Sequence, residues 1–473
     1  VLEDAHWLDS ASWALTEVVS QQVSPLFLVL VSRPLETDAT AVLSSTANKN
    51  ERPELADSSM LLSNPRITLK PLTNDDSLRL VCQRLGVDSL PRPIATFITE
   101  RAEGHPLFSE ELAYSLRDAN IIRTDNGICH LNVDAAEVRH LDFPTTIEGV
   151  ITNRIDRLTP TQQLVLKVSS VIGRIFALTI LHDIHPAQNE RPYLNNHLQD
   201  LNRLAITQLE QPEPVLTYMF KHIITQQVAY NLLLYSQRRD LHLKVAEWFE
   251  TIQANSLEEI YPLLAYHWFH ALELTDLDAS QAEKAIFYAE QAGDQAIHNY
   301  ANQEAIRFFT NAQKIADHLN DKSITPRNRR AHWELQMGEA YSGLGQLTEG
   351  LHHYGLCLEL LGWPLAKTNG RIILSTLQSL IWRKLPKWTK STTPQQRTAL
   401  REAARAYEMS GQIFYLTNQT LPTLYAMIRG INLAEKIGEG TPELARAYAN
   451  MSGAVSLVPM PQKSRSFEAR AWA

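Results

Sequence analysis

The sequence predicts a mainly α-helical protein that begins with a short α/β segment. Three observations support this class. Residues 1–33 alternate between strand-like and helix-like patterns, much of the chain after Pro71 has apolar residues three or four apart, and the C-terminal region repeats itself at a fixed interval. Apolar residues make up 44% of the 473 residues, which is enough for hydrophobic cores in about three domains of ~150 residues.

The first predicted domain, residues 1–70, is a truncated α/β segment. Val23 to Arg33 is a continuous apolar run rich in Val and Leu, which is typical of a strand buried on both faces of a parallel sheet. The preceding residues, Ser10 to Gln22, have helical spacing, and Arg66 to Leu69 is predicted to add one more short strand after a polar loop. Strand, helix and strand in this order predict an α/β unit.

The second predicted domain, residues 71–143, is helical and ends in a hairpin. Its helices are predicted at Asn74 to Leu85, Pro93 to Ala102 and Pro106 to Arg117. Ile121 to Leu131 then has two apolar arms around Asp125-Asn126-Gly127, and Asn and Gly tolerate the positive φ of a tight turn. We therefore expect a helical lid followed by a β-hairpin.

The third predicted domain, residues 144–250, has three helices and a second hairpin. The helices are predicted at Thr146 to Leu158, Thr161 to Ile172 and Pro192 to Leu204. Two short apolar runs within Ile206 to Phe220 flank a Pro-rich turn. Three helices followed by a hairpin is the order of a winged-helix module, which we expect here.

The fourth predicted domain, residues 251–473, is an array of helical repeats. Two copies align at a constant offset of 45 residues: Gly293, Ala296, Tyr300, Ala305, Phe309 and Ala312 match Gly338, Tyr341, Gly345, Gly350, Tyr354 and Cys357. This spacing follows the tetratricopeptide pattern, in which small residues let two helices approach and an aromatic ring fills the gap. That unit has ~34 residues, so we assign the surplus to a linker at Asp321 to Arg330. Glu443 to Gly453 is predicted to begin a later repeat.

Composition excludes several classes of function. With 44 basic and 52 acidic residues, the net charge of −8 argues against a dominant nucleic-acid surface. The cysteines Cys82, Cys129 and Cys357 are odd in number and far apart, which indicates neither a disulfide framework nor a zinc site. No apolar run reaches the ~18 residues that a membrane span needs. We therefore expect a cytoplasmic protein without a membrane span.

The stretch from Arg371 to Lys390 leaves two interpretations open. It combines apolar periodicity with five basic residues and two Trp, a pattern found in helices that lie at a membrane interface. Stretches of this kind more often pack inside a helical array.

The most informative motif is at the start of the chain, where Val1-Leu2-Glu3-Asp4 continues into Ala5-His6-Trp7-Leu8-Asp9. It resembles the Walker B segment of the signal-transduction ATPases with numerous domains, bacterial relatives of the AAA proteins. The resemblance implies that Glu3 holds Mg²⁺ and that Asp4 polarises the attacking water, the two tasks that carboxylates perform in phosphoryl transfer. An ordinary acidic strand end is the alternative.

The same resemblance implies four nucleotide-binding residues elsewhere. Arg33 falls where the family places a polar sensor near the γ-phosphate, although a solvated Arg at a strand end is an equal alternative. Gly104 and Pro106 match the family's Gly-x-Pro lid motif, in which Pro packs on the adenine; a plain helix-entry turn is the alternative. His222 lies where related switches use a histidine to contact the β-phosphate, but a packed core histidine is the interpretation favoured here.

No GxxxxGK[ST] loop occurs in the sequence, so ATP and Mg²⁺ are expected to bind only together with that missing segment. The chain starts with Val1 inside a strand-like run and stops in a polar helical run, which suggests an interior fragment. Three sequence blocks strengthen the resemblance: Pro144 to Arg157, Val171 to Phe176 and Phe220 to Tyr230. Their order and spacing are similar to those of the winged-helix block in proteins linked to bacterial nucleotide cyclases and serine/threonine kinases.

The resemblance therefore implies a fragment of an ATP-dependent signalling switch. Its partners would be an attached effector, such as a nucleotide cyclase or protein kinase, and a protein that binds the helical repeats. A transcription regulator of the same superfamily and a catalytically inert helical scaffold are alternatives. No nucleic-acid partner is expected, because the third predicted helix of the winged-helix module carries a single basic residue, Arg203.

Overall fold

The computed structural model describes residues 1–3, 5, 8, 10–32, 67–138, 143–212, 214–273, 277–319, 325–382, 393–438, 441–456 and 470. The described part is mainly helical. The chain divides into two compact units, one formed by Val1–Ser63 with Glu258–Ala473 and the other by Asn64–Leu257. Each unit is described separately below.

The described residues from 1 to 32 include the helix α1 (Ser10–Gln22) and an isolated parallel bridge between Leu2 and Leu30. The Leu2 N–H donates to the Val29 carbonyl at 2.8 Å, and the Val31 N–H donates to the Leu2 carbonyl at 2.8 Å. Of the predicted α/β unit, the described residues show only α1 and this single parallel bridge.

The prediction that Val23 to Arg33 is a strand buried on both faces is wrong for the described residues. Phe27 is 89% exposed, and this segment pairs at a single bridge. The short strand predicted at Arg66 to Leu69 is also not formed at residues 67–69, where Ile67 and Leu69 are exposed; Arg66 lies outside the described residues. Burial of such strands depends on neighbouring strands and covering helices, which the described residues do not supply.

The unit Asn64–Leu257 begins with three helices and a hairpin. The helices are α2 (Asn74–Leu85), α3 (Arg92–Ala102) and α4 (Pro106–Asp118), and the strands are β1 (Ile122–Asp125) and β2 (Ile128–Leu131), followed by the short helix α5 (Ala135–Val138). The Thr73 hydroxyl caps α2 by accepting from the Asp76 N–H, and Gly86 ends it in the left-handed region. Asn126 and Gly127 have φ of 50° and 81°, as the tight turn of a hairpin requires, and β1 pairs with β2. The predicted hairpin and the three predicted helices are therefore confirmed.

The second half of this unit surrounds a three-stranded sheet. Its helices are α6 (Ile147–Asp156), α7 (Pro160–Ile172), α8 (Leu178–Ile184), α9 (Leu194–Arg203), α10 (Ile223–Asn231) and α11 (Tyr235–Ile252). Its strands are β3 (Ile175–Ala177), β4 (Thr207–Gln211) and β5 (Thr217–Phe220), in the antiparallel order β3-β5-β4.

The hairpin predicted within Ile206 to Phe220 is confirmed as β4 and β5, but β3 and α8 were not predicted. Only three residues form β3, which is too short for periodicity to reveal. The helix predicted from Pro192 begins at Leu194, because Gln188–Tyr193 forms a 3₁₀ helix. Phe176 and Phe220, from β3 and β5, pack together in the core with ring centroids 5.7 Å apart.

From Tyr261 onward the other unit is built from helices. They are α12 (Tyr261–His270), α13 (Ala279–His298), α14 (Asn302–Leu319), α15 (Arg327–Gly343), α16 (Leu347–Leu360), α17 (Asn369–Trp382), α18 (Pro394–Leu416), α19 (Thr420–Ile437) and α20 (Pro442–Ser456). Consecutive helices pack as the pairs α13–α14, α15–α16 and α18–α19, and α17 packs on α19.

Two of these pairs share the same close contact. A Cβ added to Gly293 in α13 would lie 2.6 Å from the Phe309 ring of α14, and a Cβ added to Gly338 in α15 would lie 2.5 Å from the Tyr354 ring of α16. In both pairs the large residue comes sixteen positions after the glycine. The equivalent residues of the two aligned copies therefore occupy equivalent places.

The pair α18–α19 has the same arrangement, which was not predicted. Gly411 faces Met427, again sixteen positions later, at 3.4 Å from an added Cβ. Met in place of an aromatic residue hides this pair from a search for small and aromatic residues, but a flexible thioether can fill the same gap.

Ion pairs join the first helices of successive pairs. Arg329 of α15 contacts two carboxylates of α13, Glu290 at 2.6 Å and Glu283 at 2.9 Å. Both carboxylates lie on one side of α13, and Arg329 is largely covered between them. The ion pairs therefore fix α15 against the preceding pair.

His332 makes a longer connection. Its Nε2 lies 3.0 Å from an Asp294 oxygen on α13, and its Nδ1 lies 3.2 Å from a Glu402 oxygen on α18. Arg405 of α18 also pairs with Glu339 of α15 at 2.7 Å. One imidazole thus bridges the first helices of three different pairs.

Candidate functional site

The start of α4 is a tight turn that requires glycine. Gly104 has φ of 77°, its carbonyl accepts from the Leu72 N–H at 2.8 Å, and an added Cβ would lie 2.3 Å from the Leu72 carbonyl oxygen. His105 is the N-cap, and its Nδ1 accepts from the Phe108 N–H at 3.3 Å. Pro106 follows in the first turn, exposed to solvent. The turn is therefore rigid and presents the Pro106 ring outward.

In its second turn, α4 buries two adjacent acids, Glu110 and Glu111. Glu111 pairs with Arg154 of α6. Arg154 donates to Glu111 at 2.6 Å, and the two side chains are only 3% and 2% exposed. The same guanidinium donates to Asp118 at 3.0 Å and to the Leu204 carbonyl at 2.6 Å, and it lies over the Tyr114 ring. This residue therefore ties α4 to α6 and to the link between α9 and β4.

The electrostatics of this ion pair favour the charged forms. Burial lowers the pKa of Arg154, but the charges and hydrogen bonds of Glu111 and Asp118 outweigh burial and raise it. The guanidinium therefore remains protonated, and each of its partners stays satisfied.

The second buried acid, Glu110, joins α4 to α2 and to the end of β5. Arg84 pairs with it at 3.0 Å, and the Lys221 ammonium lies 3.5 Å from its other oxygen. Lys221 also donates to the Tyr114 hydroxyl at 3.2 Å and stands over the same ring. Three carboxylates and one tyrosine of α4 thus hold cations from three other places in the unit: α2, α6 and the end of β5.

His222 stands beside this cluster as the N-cap of α10. Burial lowers its pKa, while the negative charges of Glu111 and Glu110 act in the opposite direction and Lys221 adds to the lowering. Its Nε2 is buried and has no hydrogen-bond partner among the described residues. The lowered pKa favours the neutral imidazole, and a ligand would reach the buried Nε2 only after the surrounding side chains move.

Three of the sequence-predicted site residues are associated with α4. Gly104 and Pro106 form its entry turn, and the carboxylates of Glu110 and Glu111 in its second turn act on the pKa of His222. The packed-histidine interpretation of His222 agrees with its burial, whereas the unpartnered Nε2 leaves a binding role open. Pro106 and His222 both lie among the described residues and have no hydrogen bond or ion pair with each other.

The other three predicted residues lie at the start of the chain. Glu3 is exposed in a turn next to the Leu2 bridge, so its carboxylate is accessible. Asp4 and Arg33 lie outside the described residues. Their predicted roles remain predictions.

Sequence reasoning missed the buried ion pairs themselves. Glu110 and Glu111 stand in the middle of the apolar run from Leu107 to Leu116, and Arg154 interrupts the apolar periodicity of α6. Charged residues at buried positions are paired in almost all proteins, so these interruptions were the available signal.

The described residues contain no group of three or more His, Cys, Asp and Glu side chains arranged to hold a metal ion. Among the described helices, none combines the length and the apolar character needed to cross a bilayer.

Comparison with known proteins gives one family match. Residues 73–130 match the model of a family described only as a domain of unknown function, DUF8739. This region runs from the cap of α2 to β2, and it contains the Gly104 turn together with Glu110 and Glu111. The matched domain thus includes most of the candidate site.

The chain is also similar to adenylate cyclase type 10. It is 21% identical to the Rattus norvegicus protein over 369 residues and 20% identical to the Mus musculus protein over 370 residues, in each case 60% of this chain and 22% of the relative. An uncharacterized protein of Rhizobium meliloti (strain 1021) is 23% identical over 282 residues, 55% of this chain and 25% of the relative. The chain thus spans about a fifth to a quarter of these relatives. No solved structure matches.

Proposed function

We propose that this chain is a regulatory region of an ATP-dependent signalling switch, of the kind found in the signal-transduction ATPases with numerous domains, and that it controls an attached nucleotide cyclase or protein kinase. The observation that carries the proposal is the similarity to adenylate cyclase type 10, which extends over 60% of this chain but only 22% of the relative. Such a match fits a region that accompanies catalytic domains.

The proposal divides the chain into an ATPase remnant at residues 1–70, a lid at 71–143, a winged helix at 144–250 and tetratricopeptide-like repeats at 251–473. The order α7, β3, α8, α9, β4, β5 supports the winged helix, because helix, strand, two helices and a hairpin make up that module. The shared glycine contacts of the helical pairs support the repeats, which would bind a protein partner.

Arg154 gives the proposal a mechanical element. Lid and winged helix can act together only if motion of one is passed to the other, and the buried Glu111–Arg154 pair joins α4 of the proposed lid to α6 of the proposed winged helix. Separating α4 from α6 would leave Glu111 without a partner and Arg154 with only the Leu204 carbonyl, and an unpaired buried charge is costly. The two parts would therefore move as one body or separate in a single step.

The nucleotide would be ATP with Mg²⁺. In this proposal Glu3 holds the metal, Asp4 polarises water, Arg33 senses the γ-phosphate, the exposed Pro106 packs on the adenine, and the free Nε2 of His222 meets a phosphate. These 473 residues contain no phosphate-binding loop, so the proposal requires a further segment that supplies one.

The test compares nucleotide binding with and without that segment. This chain alone should bind Mg·ATP weakly or not at all in isothermal titration. In a version extended through a phosphate-binding loop, Asp4→Asn should abolish hydrolysis but leave binding largely intact, while Pro106→Ala and His222→Gln should each weaken binding.

Two matched variants serve as controls. Pro93→Ala also changes a proline in the first turn of a lid helix, and His182→Gln changes an exposed histidine of the same unit. Both should bind ATP as the parent does. Parent-like affinity in Pro106→Ala and His222→Gln would place the nucleotide elsewhere, and micromolar affinity of this chain alone would refute the need for a separate phosphate loop.

A further inference from the structure

Helix α17 (Asn369–Trp382) uses one side to pack and leaves the other apolar side uncovered. Ile372 and Ser379 are buried, and the Asn432 amide of α19 donates to the Ser379 carbonyl at 3.3 Å. Three aliphatic side chains on other positions are exposed: Ile373 by 49%, Leu374 by 68% and Leu377 by 53%. The helix is thus fixed to the array while this apolar side faces solvent.

The chain around α17 has an unusual charge. Between Glu359 and Glu402 there is no acidic residue, although the whole protein has a net charge of −8. Eight basic residues fall in this interval: Lys367, Arg371, Arg383, Lys384, Lys387, Lys390, Arg397 and Arg401. Lys367 and Arg371 are exposed at the start of α17, next to the exposed aliphatic residues. The four from 383 to 390 lie outside the described residues, and the surface defined here does not include them.

We propose that α17 binds the surface of membranes rich in anionic lipids, with Ile373, Leu374 and Leu377 entering the acyl boundary and Lys367 and Arg371 meeting the lipid phosphates and carboxylates. A helix of 14 residues is shorter than the ~20 that a span needs, so it would lie in the plane of the interface. Apolar insertion and basic charge are the two signals that together give stable peripheral binding.

Charge favours a lipid surface over a second copy of the chain. Two α17 surfaces brought together would offer Lys367 and Arg371 no acidic side chain from this stretch, because no Asp or Glu lies between Glu359 and Glu402. An anionic bilayer instead supplies dispersed negative charge and an apolar interior without a matching shape. It therefore matches both the exposed aliphatic residues and the basic residues of this surface.

The experiment is flotation of the full chain with vesicles. We use phosphatidylcholine vesicles with 30% phosphatidylserine, at about 0.1 M salt, and pure phosphatidylcholine vesicles for comparison. Leu374→Asn/Leu377→Asn removes the apolar signal, and Lys367→Gln/Arg371→Gln removes the basic signal. Tyr415→Asn/Leu416→Asn removes an exposed apolar pair from α18, and Lys314→Gln/Arg327→Gln removes two exposed cations from other helices.

The parent should float with the anionic vesicles and not with the neutral ones. Each α17 double variant should lose at least tenfold in partition, since one basic residue near an anionic surface contributes about fivefold. Both control variants should bind as the parent does, and circular dichroism should show unchanged helix content in all four.

Several outcomes would overturn the proposal. These are no flotation of the parent, equal flotation with neutral vesicles, or equal losses in the α17 and control variants. A parent dimer in light scattering that Leu374→Asn/Leu377→Asn dissolves would assign the surface to self-association instead. Binding to heparin with no dependence on the two leucines would assign it to polyanions.

Discussion

Arg154 offers a sharp test of the site, because a single side chain satisfies one buried and two partly buried acceptors. We consider Arg154→Met, which keeps most of the aliphatic length and removes the guanidinium. Glu111, at 2% exposure, then has no route to water, and the Leu204 carbonyl loses its donor. Asp118 is slightly more accessible and regains some solvation.

The expected loss of stability follows from the acceptors that lose their donor. Removing one partner of a buried ion pair costs about 3–5 kcal/mol, because the remaining charge is left uncompensated. We expect about 4 kcal/mol for Arg154→Met. Arg84→Met is the matched control, since Arg84 pairs with Glu110 at 3.0 Å in the same unit but is 46% exposed. Glu110 is buried, but it keeps Lys221 at 3.5 Å when Arg84 is removed, so the control should cost clearly less, about 1–2 kcal/mol.

The assay is native-state hydrogen exchange on the full chain, followed for peptides of α4 and α6. A loss of about 4 kcal/mol corresponds to a nearly thousandfold drop in protection. Peptides from α13 to α16 provide an internal reference. Arg154→Met/Glu111→Met should recover much of the protection, because two apolar groups replace a buried pair at little net cost.

Equal losses in Arg154→Met and Arg84→Met would refute the reasoning, since burial would then make no difference. A double variant less protected than Arg154→Met would also refute it, because the unpaired carboxylate would not be the source of the loss.

Two further predictions concern the repeats. Gly338→Ala should destabilise the protein by about 1–3 kcal/mol, because the new methyl group overpacks against the buried Tyr354 ring. Gly411→Ala faces the flexible Met427 side chain at 3.4 Å and should be neutral or stabilise by up to about 1 kcal/mol. Urea unfolding of both variants checks this, and equal effects would contradict the packing argument. Burial opposes protonation of His332, but hydrogen bonds to Asp294 and Glu402 outweigh it and raise the pKa to about 10, so its contribution is complete below about pH 6.5 and is lost as pH rises through 10. Because the side chain is 30% exposed, we expect His332→Gln to cost about 1–2 kcal/mol at pH 6 and nothing at pH 10.5; a cost independent of pH would show that the ring acts by packing alone.

Local signals made part of the fold predictable from sequence. The bounds of α2 follow from the Thr73 cap and the left-handed Gly86, and the first hairpin follows from Asn126-Gly127. In each case the residues that decide the structure are neighbours in the sequence.

Features that depend on distant residues were not predictable. Glu111 and Arg154 are 43 positions apart, and Tyr114 and Lys221 are 107 apart, so no local pattern links them. The exposure of Phe27 depends on which elements cover it rather than on its own apolar run. The entry turn of α4 was found because Gly and Pro act locally, whereas the charges behind it act across the unit.

The double contact of His332 changes how far a disturbance should spread along the array. If each pair touched only its neighbours, opening one pair would weaken the adjacent pairs and no others. His332 holds Asp294 of α13 and Glu402 of α18 at once, so the imidazole links helices that are not consecutive in the array. A fluctuation that pulls α18 away also takes one of the two acceptors from the residue that holds α13. The correlation length of local opening should therefore exceed one repeat, and a shortened array that ends before α18 should be less cooperative than its number of pairs alone would indicate.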